Sequence, residues 1–406
     1  MIKYYIILVG AVLFWGCVDT NPENSKEIRS LQQRLIENTE SIAELKNEIS
    51  EEESVLAARL IHDYLGDKLR AEYKDQWQNK ILEQGDYQLK FKYKKFGEKP
   101  PDGWSLFISM HGGGGAPARV NDKQWENQIN LYQPKEGIYM APRAPTDTWN
   151  LWHQEHIDVF FAQFIQLANV FEGINTNSVY LAGYSAGGDG TYQLAPRMAD
   201  WLAGAAMMAG HPNDASPLGL RNLPFAIHMG GNDSAYNRNK IAAEWGKMLD
   251  SLQFADPGGY IHDVQIHEGM GHWMQRKDTV AIEWMQQFSR KPYPEKVVWK
   301  QSSVTHSRYY WLAVPAESAV KDAEIVASLE GQTIHIEKAD QVNNLIINLN
   351  DKMVDLDKKV EVKYNGEVVY NSVPKRNISI IWESLNDRND PEQYFTSQIV
   401  LMLSEE

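Results

Sequence analysis

The fold is decided by the run Val179-Tyr180-Leu181-Ala182-Gly183-Tyr184-Ser185-Ala186-Gly187-Gly188. Its apolar first half predicts a buried strand, and the segment from Thr191 to Ala199 predicts a helix after it. Between the two lies the pattern G-x-S-x-G, which in this context holds a serine hydroxyl on a tight turn above a sheet edge. The glycines are needed there because neighbouring Cβ atoms would collide with the strand or the helix. The pattern alone is common, so its meaning depends on the partners of Ser185.

Two later segments offer those partners in a suitable context. The apolar run from Phe225 to Met229 leads into a glycine-rich turn that ends in Asp233, and the strand-like run from Asp263 to His267 leads into a glycine-flanked loop with His272. A serine hydroxyl is a poor nucleophile until an imidazole takes its proton and a carboxylate fixes the ring's tautomer. We therefore predict a catalytic triad of Ser185, Asp233 and His272.

Other residues of the same types remain as alternatives. The acid could instead be Asp189, Asp214 or Asp263, and His267 is an alternative to His272. Asp233 is favoured because it follows a strand at the carboxyl edge of the predicted sheet. His267 is less suitable, since it lies on a strand, where a histidine is more often structural.

An oxyanion hole is predicted from the segment His111-Gly112-Gly113-Gly114-Gly115. It follows a predicted buried strand, so backbone N–H groups there can point at a developing alkoxide without side chains in the way. We predict that the N–H groups of Gly113, Gly114 and Ala186 donate to the oxyanion.

The chain order Ser185, Asp233, His272 resembles that of the α/β-hydrolase family. The HGGGG loop and the Gly-Tyr-Ser-Ala-Gly-Gly turn are similar to the feruloyl-esterase, polyhydroxybutyrate-depolymerase and dienelactone-hydrolase branch of that family. The resemblance extends from about Tyr87 to Arg290. It implies a mainly parallel sheet flanked by helices and the hydrolysis of esters without a metal or another cofactor.

Residues 1–17 have the features of an export signal. Lys3 precedes a short apolar core from Tyr4 to Trp15, and Cys17, the only cysteine, follows directly after Gly16. The core is too short for a stable membrane span. The ending resembles a bacterial lipobox, which implies an exported cell-envelope lipoprotein anchored in the lipid membrane through Cys17. An ordinary signal peptide that contains a cysteine is the alternative.

Residues 18–83 are predicted to be a tether followed by a helical segment. Apolar residues fall on a heptad grid, with Asn38 at one seam position: Ile28, Leu31, Leu35, Ile42, Leu45 and Ile49. One interpretation is a coiled-coil stalk that joins copies of the chain through residues 28–52. The other is one or two amphipathic helices packed on the next domain. The pattern does not separate the two.

We place the catalytic domain at residues 84–291 and a C-terminal all-β sandwich at residues 292–406. The prediction of a β sandwich rests on runs of strand-like sequence, among them the run from Ile378 to Trp382. Asn365-Gly366 lies between two such runs and predicts a tight hairpin.

Substrate contacts are predicted near the triad and in an aromatic loop. The loop contains Trp149, Trp152 and His153, and ligands of such sheets bind outside the carboxyl ends of the strands. The pattern H-E-x-x-H is absent, so we expect a pocket wall or plain packing there rather than a metal site. The remaining candidates are Tyr184, Trp273 and Arg238, the last as a ligand for a carboxylate or hydroxyl.

The composition narrows the class of partner. The net charge is −14, and no long basic run is present, which argues against nucleic acid. For a serine hydrolase, the predicted surface anchor and the Trp-rich loop favour a polysaccharide-linked or polymeric ester as the substrate. A prolyl-oligopeptidase-like peptidase has the same triad order, but no propeller repeat precedes this core. A non-catalytic binding protein on the same fold is the third hypothesis.

Overall fold

The computed structural model describes residues 22–37 and 40–403, and its largest element is an eight-stranded sheet. The strands are β1 Ile81–Gln84, β2 Tyr87–Phe96, β3 Trp104–Met110, β4 Gly137–Arg143, β5 Ile174–Tyr184, β6 Gly204–Met208, β7 Phe225–Gly230 and β8 His262–His267. They lie in the order β1-β2-β4-β3-β5-β6-β7-β8. β1 and β2 are antiparallel to their neighbours, and the pairs from β4 to β8 are parallel. The carboxyl ends of the parallel strands therefore meet at one edge.

Both faces of this sheet are buried under helices. These are α2 Glu51–Asn79, α3 Ala118–Gln128, α4 Glu155–Glu172, α5 Ala186–Arg197, α6 Arg238–Ala255 and α7 Val280–Met285. Helix α1 Lys26–Ile36 packs on α2 instead. Along β3 the side chains alternate between two hydrophobic cores, with Leu106 and Ile108 in one and Phe107 in the other. A mainly parallel sheet covered on both faces confirms the α/β-hydrolase fold predicted from the sequence.

Strand β1 was missed because the helical segment was predicted to extend through residues 18–83. α2 ends at Asn79, and Lys80 takes a left-handed conformation (φ 59°, ψ 39°) that stops the helix. The chain then pairs antiparallel with β2, which places Leu82 opposite Leu89, both fully buried.

The C-terminal residues form two further sheets. Their strands are β9 Lys296–Lys300, β10 Arg308–Tyr309, β11 Leu312–Ala313, β12 Glu324–Glu330, β13 Thr333–Asp340, β14 Asn344–Leu349, β15 Val360–Tyr364, β16 Glu367–Ser372 and β17 Ser397–Met402. One sheet has the order β16-β15-β13-β12-β9 and the other β10-β11-β14-β17. The hairpin at Asn365-Gly366 is confirmed, with φ of 51° and 81° at the two turn residues.

The all-β prediction is wrong for one segment, because residues Ile378–Arg388 form helix α8. The Asn377 side chain caps its first turn by accepting a hydrogen bond from Ile380 N. The buried residues Ile378, Ile381, Trp382 and Leu385 have the spacing of one helix face rather than the alternation of a strand.

That face of α8 packs against the N-terminal segment. Ile28, Leu31, Ile42 and Ile49 are at most 4% exposed and share one hydrophobic core with Ile381. α1 ends at Ile36 and is followed by a 3-10 helix at residues 40–44, so the heptad positions do not form one long helix. The segment is therefore packed within the chain, on α8 of the C-terminal residues rather than on residues 84–291, and its described heptad positions do not form the continuous helix of a coiled-coil stalk. Self-association through residues 28–52 stays a prediction that would need other side chains.

The signal segment, Cys17 and Asn38 lie outside the described residues. Lipid anchoring accordingly stays a prediction. Among residues 22–37 and 40–403, no helix combines the length and apolar character that a membrane span requires.

Replacing Ile381 by alanine tests the packing of the N-terminal segment. The side chain is fully buried, so we expect Ile381→Ala to lower the free energy of unfolding by about 2–5 kcal/mol. Urea denaturation measures the change. Ile36→Ala is a matched control, since Ile36 is 85% exposed and its loss should change stability by roughly 0.5 kcal/mol or less. Equal stability of the two variants would contradict the packing.

Candidate active site

Ser185 occupies the sharp turn between β5 and α5. Its backbone has φ 58° and ψ −120°, a conformation that costs energy for a residue with a Cβ atom. Ser185 N donates to Met208 O at 2.9 Å, and Ser185 O accepts from Asp189 N at 2.9 Å. These bonds hold the strained turn, so the hydroxyl stands at the carboxyl end of the central strand.

The glycines beside Ser185 let the backbone segments approach closely. A Cβ atom on Gly187 would lie 2.1 Å from Met110 O, and one on Gly183 would lie 2.0 Å from Gly187 O. Neither oxygen can move away from such a Cβ atom, because both are backbone atoms. The turn predicted from the sequence pattern therefore requires glycine at these two positions.

The three predicted triad residues are brought together in one hydrogen-bonded chain. His272 Nε2 lies 2.9 Å from Ser185 Oγ, and His272 Nδ1 lies 2.7 Å from Asp233 Oδ2. An ionised carboxylate only accepts hydrogen bonds, so Nδ1 carries the proton and Nε2 is left to accept from the serine hydroxyl. Asp233 is 4% exposed, whereas 43% of the His272 side chain is exposed. The acid is thus shielded while the base faces the solvent side.

The alternative acids and base are engaged elsewhere. Asp189 accepts from His211 N at 2.6 Å, and Asp214 accepts from Gln193 at 3.0 Å. Asp263 lies 3.8 Å from His228, and His267 pairs with His228 at 3.2 Å. Within the part of the chain that the structure describes, none of the four side chains forms a hydrogen bond with the Ser185 hydroxyl or with the His272 ring.

The loop that carries His272 is anchored by Tyr184. The Tyr184 hydroxyl donates to His272 O at 2.7 Å and accepts from Met274 N at 3.1 Å. Because Tyr184 precedes Ser185 directly, this pair of bonds ties the base's loop to the nucleophile's strand. The Tyr184 hydroxyl serves this anchoring, while the residue also lines the cavity beside Ser185, so its role as a substrate contact stays a prediction.

His111 fixes the glycine-rich loop beside the serine. Its Nε2 accepts from Ala144 N at 3.1 Å and its Nδ1 donates to Gly112 O at 2.6 Å. Burial lowers the pKa of His111 to about 4, so the ring is neutral at pH 7 and keeps one donor and one acceptor. A Cβ atom on Gly112 would lie 3.1 Å from Ser185 Cβ, which shows how near the loop is to the nucleophile.

The predicted oxyanion donors divide into two groups. The Gly114 N–H donates to Asn121 Oδ1 at 2.9 Å, so its prediction as an oxyanion donor is wrong: the amide already has an acceptor. Gly113 N makes no hydrogen bond with the described residues, and Ala186 begins α5, where backbone N–H groups lack helical acceptors. Gly113 and Ala186 stay predicted donors.

A cavity of about 550 Å³ opens beside the triad, within the range of roughly 300–1,000 Å³ that ligand sites have. One wall consists of three residues of α3, Gln124, Asn127 and Gln128. Leu131, three residues after the end of α3, completes this wall. Sequence analysis missed this wall. The spacing at i, i+3, i+4 and i+7 was the available signal. Opposite it lie Tyr184 and Trp273, whose rings are 5.7 Å apart.

The other predicted substrate contacts do not line this cavity. Trp152 is fully buried and donates to His111 O at 2.9 Å, so it is a core residue and its prediction as a contact is wrong. His153 is half-buried, and this burial, followed by the charge of Arg197, lowers its pKa to about 4. Trp149 is 65% exposed outside the cavity. Arg238 Nη1 lies 3.9 Å from Asp233 Oδ1, behind the triad acid.

Across the described ranges, 22–37 and 40–403, no three His, Cys, Asp or Glu side chains are grouped as a metal site would require.

A buried histidine at the base of the site predicts a pH effect on stability. His228 is fully buried, and burial followed by the charge of His267 lowers its pKa to about 3. Between that value and the ordinary 6.5 the unfolded chain binds more protons, so stability is lost as the pH falls. We expect His228→Leu to reduce the loss of unfolding free energy between pH 7 and pH 5 by about 2 kcal/mol. Urea denaturation of both proteins at the two pH values measures this, and parallel pH profiles would contradict it.

No family model matches the chain, and no curated protein matches it. Several solved structures are similar. A thermostable esterase has 17% identity and a TM-score of 0.41, covering 52% of this chain and 62% of its own. The BES protein from Bacillus cereus has 9% identity and a TM-score of 0.38, covering 51% and 92%. A mutant feruloyl esterase module from Clostridium thermocellum, in complex with sinapinate, has 15% identity and a TM-score of 0.36, covering 50% and 83%. Similarities with identities and TM-scores this low do not establish a reaction for this chain.

Proposed function

We propose that this protein is a serine hydrolase that cleaves carboxylic esters. The observation that carries the proposal is the hydrogen-bonded chain from Ser185 Oγ through His272 to Asp233, with lengths of 2.9 and 2.7 Å. This is the arrangement that turns a serine hydroxyl into a nucleophile.

In the proposed reaction Ser185 Oγ attacks the ester carbonyl while His272 Nε2 takes its proton. The buried carboxylate of Asp233 stabilises the imidazolium, and the N–H groups of Gly113 and Ala186 bind the oxyanion. His272 then protonates the departing alcohol, which leaves an acyl group on Ser185. Water, deprotonated by His272, releases the acid and restores the serine. The balance is one ester and one water giving one acid and one alcohol.

The cavity suggests the class of ester. Among the described residues that line it, His272 and the Tyr184 phenol are the only ionisable groups, and the lining includes three carboxamides and the aromatic rings of Tyr184 and Trp273. Such a wall suits an uncharged group with hydroxyls or an aromatic ring. We propose an ester attached to a polysaccharide, or a polyester, as the substrate.

Turnover of a matched ester series tests the proposal. Acetyl, butyryl and feruloyl esters of one sugar, a soluble polyester and a peptide anilide would be compared in the wild type and in Ser185→Ala. Ester turnover that depends on Ser185 supports the proposal and ranks the acyl groups. Cleavage of the peptide alone would favour a peptidase, and no turnover by the folded protein would favour a binding protein.

Trp273 provides a prediction about substrate binding. It is 52% exposed and lines the cavity, so Trp273→Ala should raise KM for the best ester by about tenfold through lost contact area, with a smaller change in kcat. Trp149→Ala is the matched control, because Trp149 is also exposed but does not line the cavity. Steady-state kinetics measure both. Equal KM values in the two variants would contradict the placement.

We also propose that the protein is exported and anchored in the cell envelope through a lipid on Cys17. Support comes from the short apolar segment and the lipobox-like ending before Cys17. Radiolabelled palmitate should enter the wild type and not Cys17→Ser when each is expressed in a bacterium. Equal labelling, or none in the wild type, would oppose the proposal.

A further inference from the structure

The glycine-rich loop beside Ser185 has a backbone whose conformation other residues must fix. Gly113, Gly114 and Gly115 all have positive φ values, 114°, 81° and 39°. Glycine adopts such values without a steric cost, but a run of glycines also has many other conformations open to it. The Gly113 N–H can bind an oxyanion only if the two peptide planes that meet at Gly113 keep their orientation.

The first of these planes is held by His111. The fully buried ring donates from Nδ1 to Gly112 O at 2.6 Å. In a trans peptide the C=O and the following N–H point in opposite directions, so the Gly113 N–H points away from the His111 ring. Gly112 and Gly113 both line the cavity at Ser185.

The second plane is held by Asn121, a residue of α3 that sequence analysis did not single out. Asn121 is fully buried, and its Oδ1 accepts from Gly114 N at 2.9 Å. The plane that contains the Gly114 N–H also contains the Gly113 carbonyl, so this bond fixes the backbone on the other side of Gly113. A Cβ atom on Gly113 would lie 2.1 Å from Asn121 Oδ1, which shows how closely the carboxamide adjoins the loop.

Asp147 determines which end of the Asn121 carboxamide faces the loop. Asn121 Nδ2 donates to Asp147 Oδ1 at 2.7 Å, and Arg143 Nη2 donates to the same oxygen at 2.5 Å. Burial acts to raise the pKa of Asp147, but the hydrogen bonds from Asn121 and Arg143 outweigh it and hold the pKa below its ordinary value. An ionised carboxylate only accepts hydrogen bonds, so the NH₂ group of Asn121 faces Asp147 and its oxygen is left for the Gly114 N–H.

Both sets of hydrogen bonds lead back to the carboxyl end of β4. Arg143 is the last residue of this strand, and the next residue, Ala144, donates its N–H to His111 Nε2 at 3.1 Å. β4 pairs with β3, the strand that precedes the loop. The loop is therefore fixed to the same sheet that carries Ser185.

We propose that Asn121 is a positioning residue, which together with Asp147 keeps the Gly113 N–H aimed at the oxyanion. This inference rests on the proposed ester hydrolysis. Asn121 is not among the described residues that line the cavity, so it acts through the backbone of Gly114 and not by touching the substrate. An interaction that matters only in the transition state changes kcat more than KM.

Asn121→Ala and Asp147→Ala test this proposal in the full chain. We expect Asn121→Ala to lower kcat for the best ester by about 10–100-fold, with KM within about threefold, because the donor is misplaced and not removed. Asp147→Ala should lower kcat by about 3–10-fold, since the freed carboxamide can turn its NH₂ group towards the loop. If Asp147 acts through Asn121, the double variant should be no slower than Asn121→Ala. The Asp147 side chain is 38% exposed, so this second variant should fold even if Asn121→Ala does not.

Two readouts separate positioning from a general loss of folded protein. The first is kcat per active site, with the sites counted by the final extent of fluorophosphonate labelling. The second is inhibition by a trifluoromethyl ketone, to whose carbonyl carbon Ser185 Oγ adds while His272 takes the proton, which leaves an oxyanion on the former carbonyl oxygen. Its Ki should rise by the factor by which kcat/KM falls. A residue that only supports folding would change the number of sites, but neither Ki nor kcat per site.

Asn130→Ala is the matched control. Asn130 is an exposed asparagine two residues after α3, and its side chain bonds Lys94 and the Glu126 carbonyl outside the cavity. It should keep kcat and Ki within about threefold of the wild type.

The possible failures are distinguishable. A wild type without turnover that depends on Ser185 overturns the proposed function and this inference with it. When such turnover is present, the inference alone is overturned if kcat per site stays within threefold of the wild type in both Asn121→Ala and Asp147→Ala. It is also overturned if Ki does not follow kcat/KM, or if the two substitutions act additively.

Discussion

Ser185→Ala is expected to lower kcat for the best ester by about 10⁶-fold. The methyl group of alanine cannot form the acyl-enzyme, and His272 loses the proton donor that lies 2.9 Å from its Nε2. Because the strained turn is held by backbone bonds from Ser185 to Met208 and Asp189, the substitution should leave the fold intact. Steady-state kinetics with enzyme freshly separated from any wild type measure the loss.

Ser234→Ala is the control for this experiment. Ser234 is exposed and directly follows the triad acid, yet its hydroxyl makes no hydrogen bond with the described residues. It should keep the wild-type rate within about threefold. If Ser185→Ala retains more than about one hundredth of the wild-type rate, a nucleophile other than Ser185 carries the reaction.

Asp233→Asn is expected to lower kcat by about 10⁴-fold. The carboxylate now accepts the Nδ1 proton of His272 at 2.7 Å. An asparagine can present its NH₂ group to Nδ1 instead, which places the ring proton on Nε2. The protonated Nε2 faces Ser185 and cannot accept the proton of the serine hydroxyl. The distance between the side chains need not change for this loss to occur.

Asp189→Asn tests whether the acid of the triad is Asp233 rather than the alternative, Asp189. Burial raises the pKa of Asp189 to about 6, and its oxygen accepts from His211 N at 2.6 Å. An asparagine oxygen can accept the same bond, so we expect a loss of less than about tenfold. Comparable losses in Asp189→Asn and Asp233→Asn, measured as kcat on the same ester, would contradict the assignment of the acid.

The triad was predictable because its signals are local and its assembly follows from topology. Ser185 and Asp233 each follow a strand that the sequence marks as apolar, and His272 follows the strand-like run from Asp263 to His267. In a parallel sheet the carboxyl ends of the strands share one edge, so the order of the three segments places them near one another. No long-range contact had to be guessed.

Three of the failures depend on contacts or on burial that exist only in the folded structure. The heptad pattern at Ile28 and Leu31 suits a second copy or another helix equally well, and its partner α8 lies near the other end of the chain. Gly114 is disqualified as an oxyanion donor by Asn121, whose side chain reaches the loop only in the folded structure. Trp152 belongs to the core although it lies in a loop between a strand and a helix.

The central claim is that the folded chain contains an activated serine at position 185. Fluorophosphonate labelling followed by mass spectrometry tests it most directly, in the wild type, Ser185→Ala and His272→Ala. We expect a single adduct on Ser185 in the wild type, none in Ser185→Ala and a strongly slowed reaction in His272→Ala, whose Nε2 contacts Ser185 Oγ. A folded wild type that takes no label, or an adduct on another residue, would contradict the proposed function.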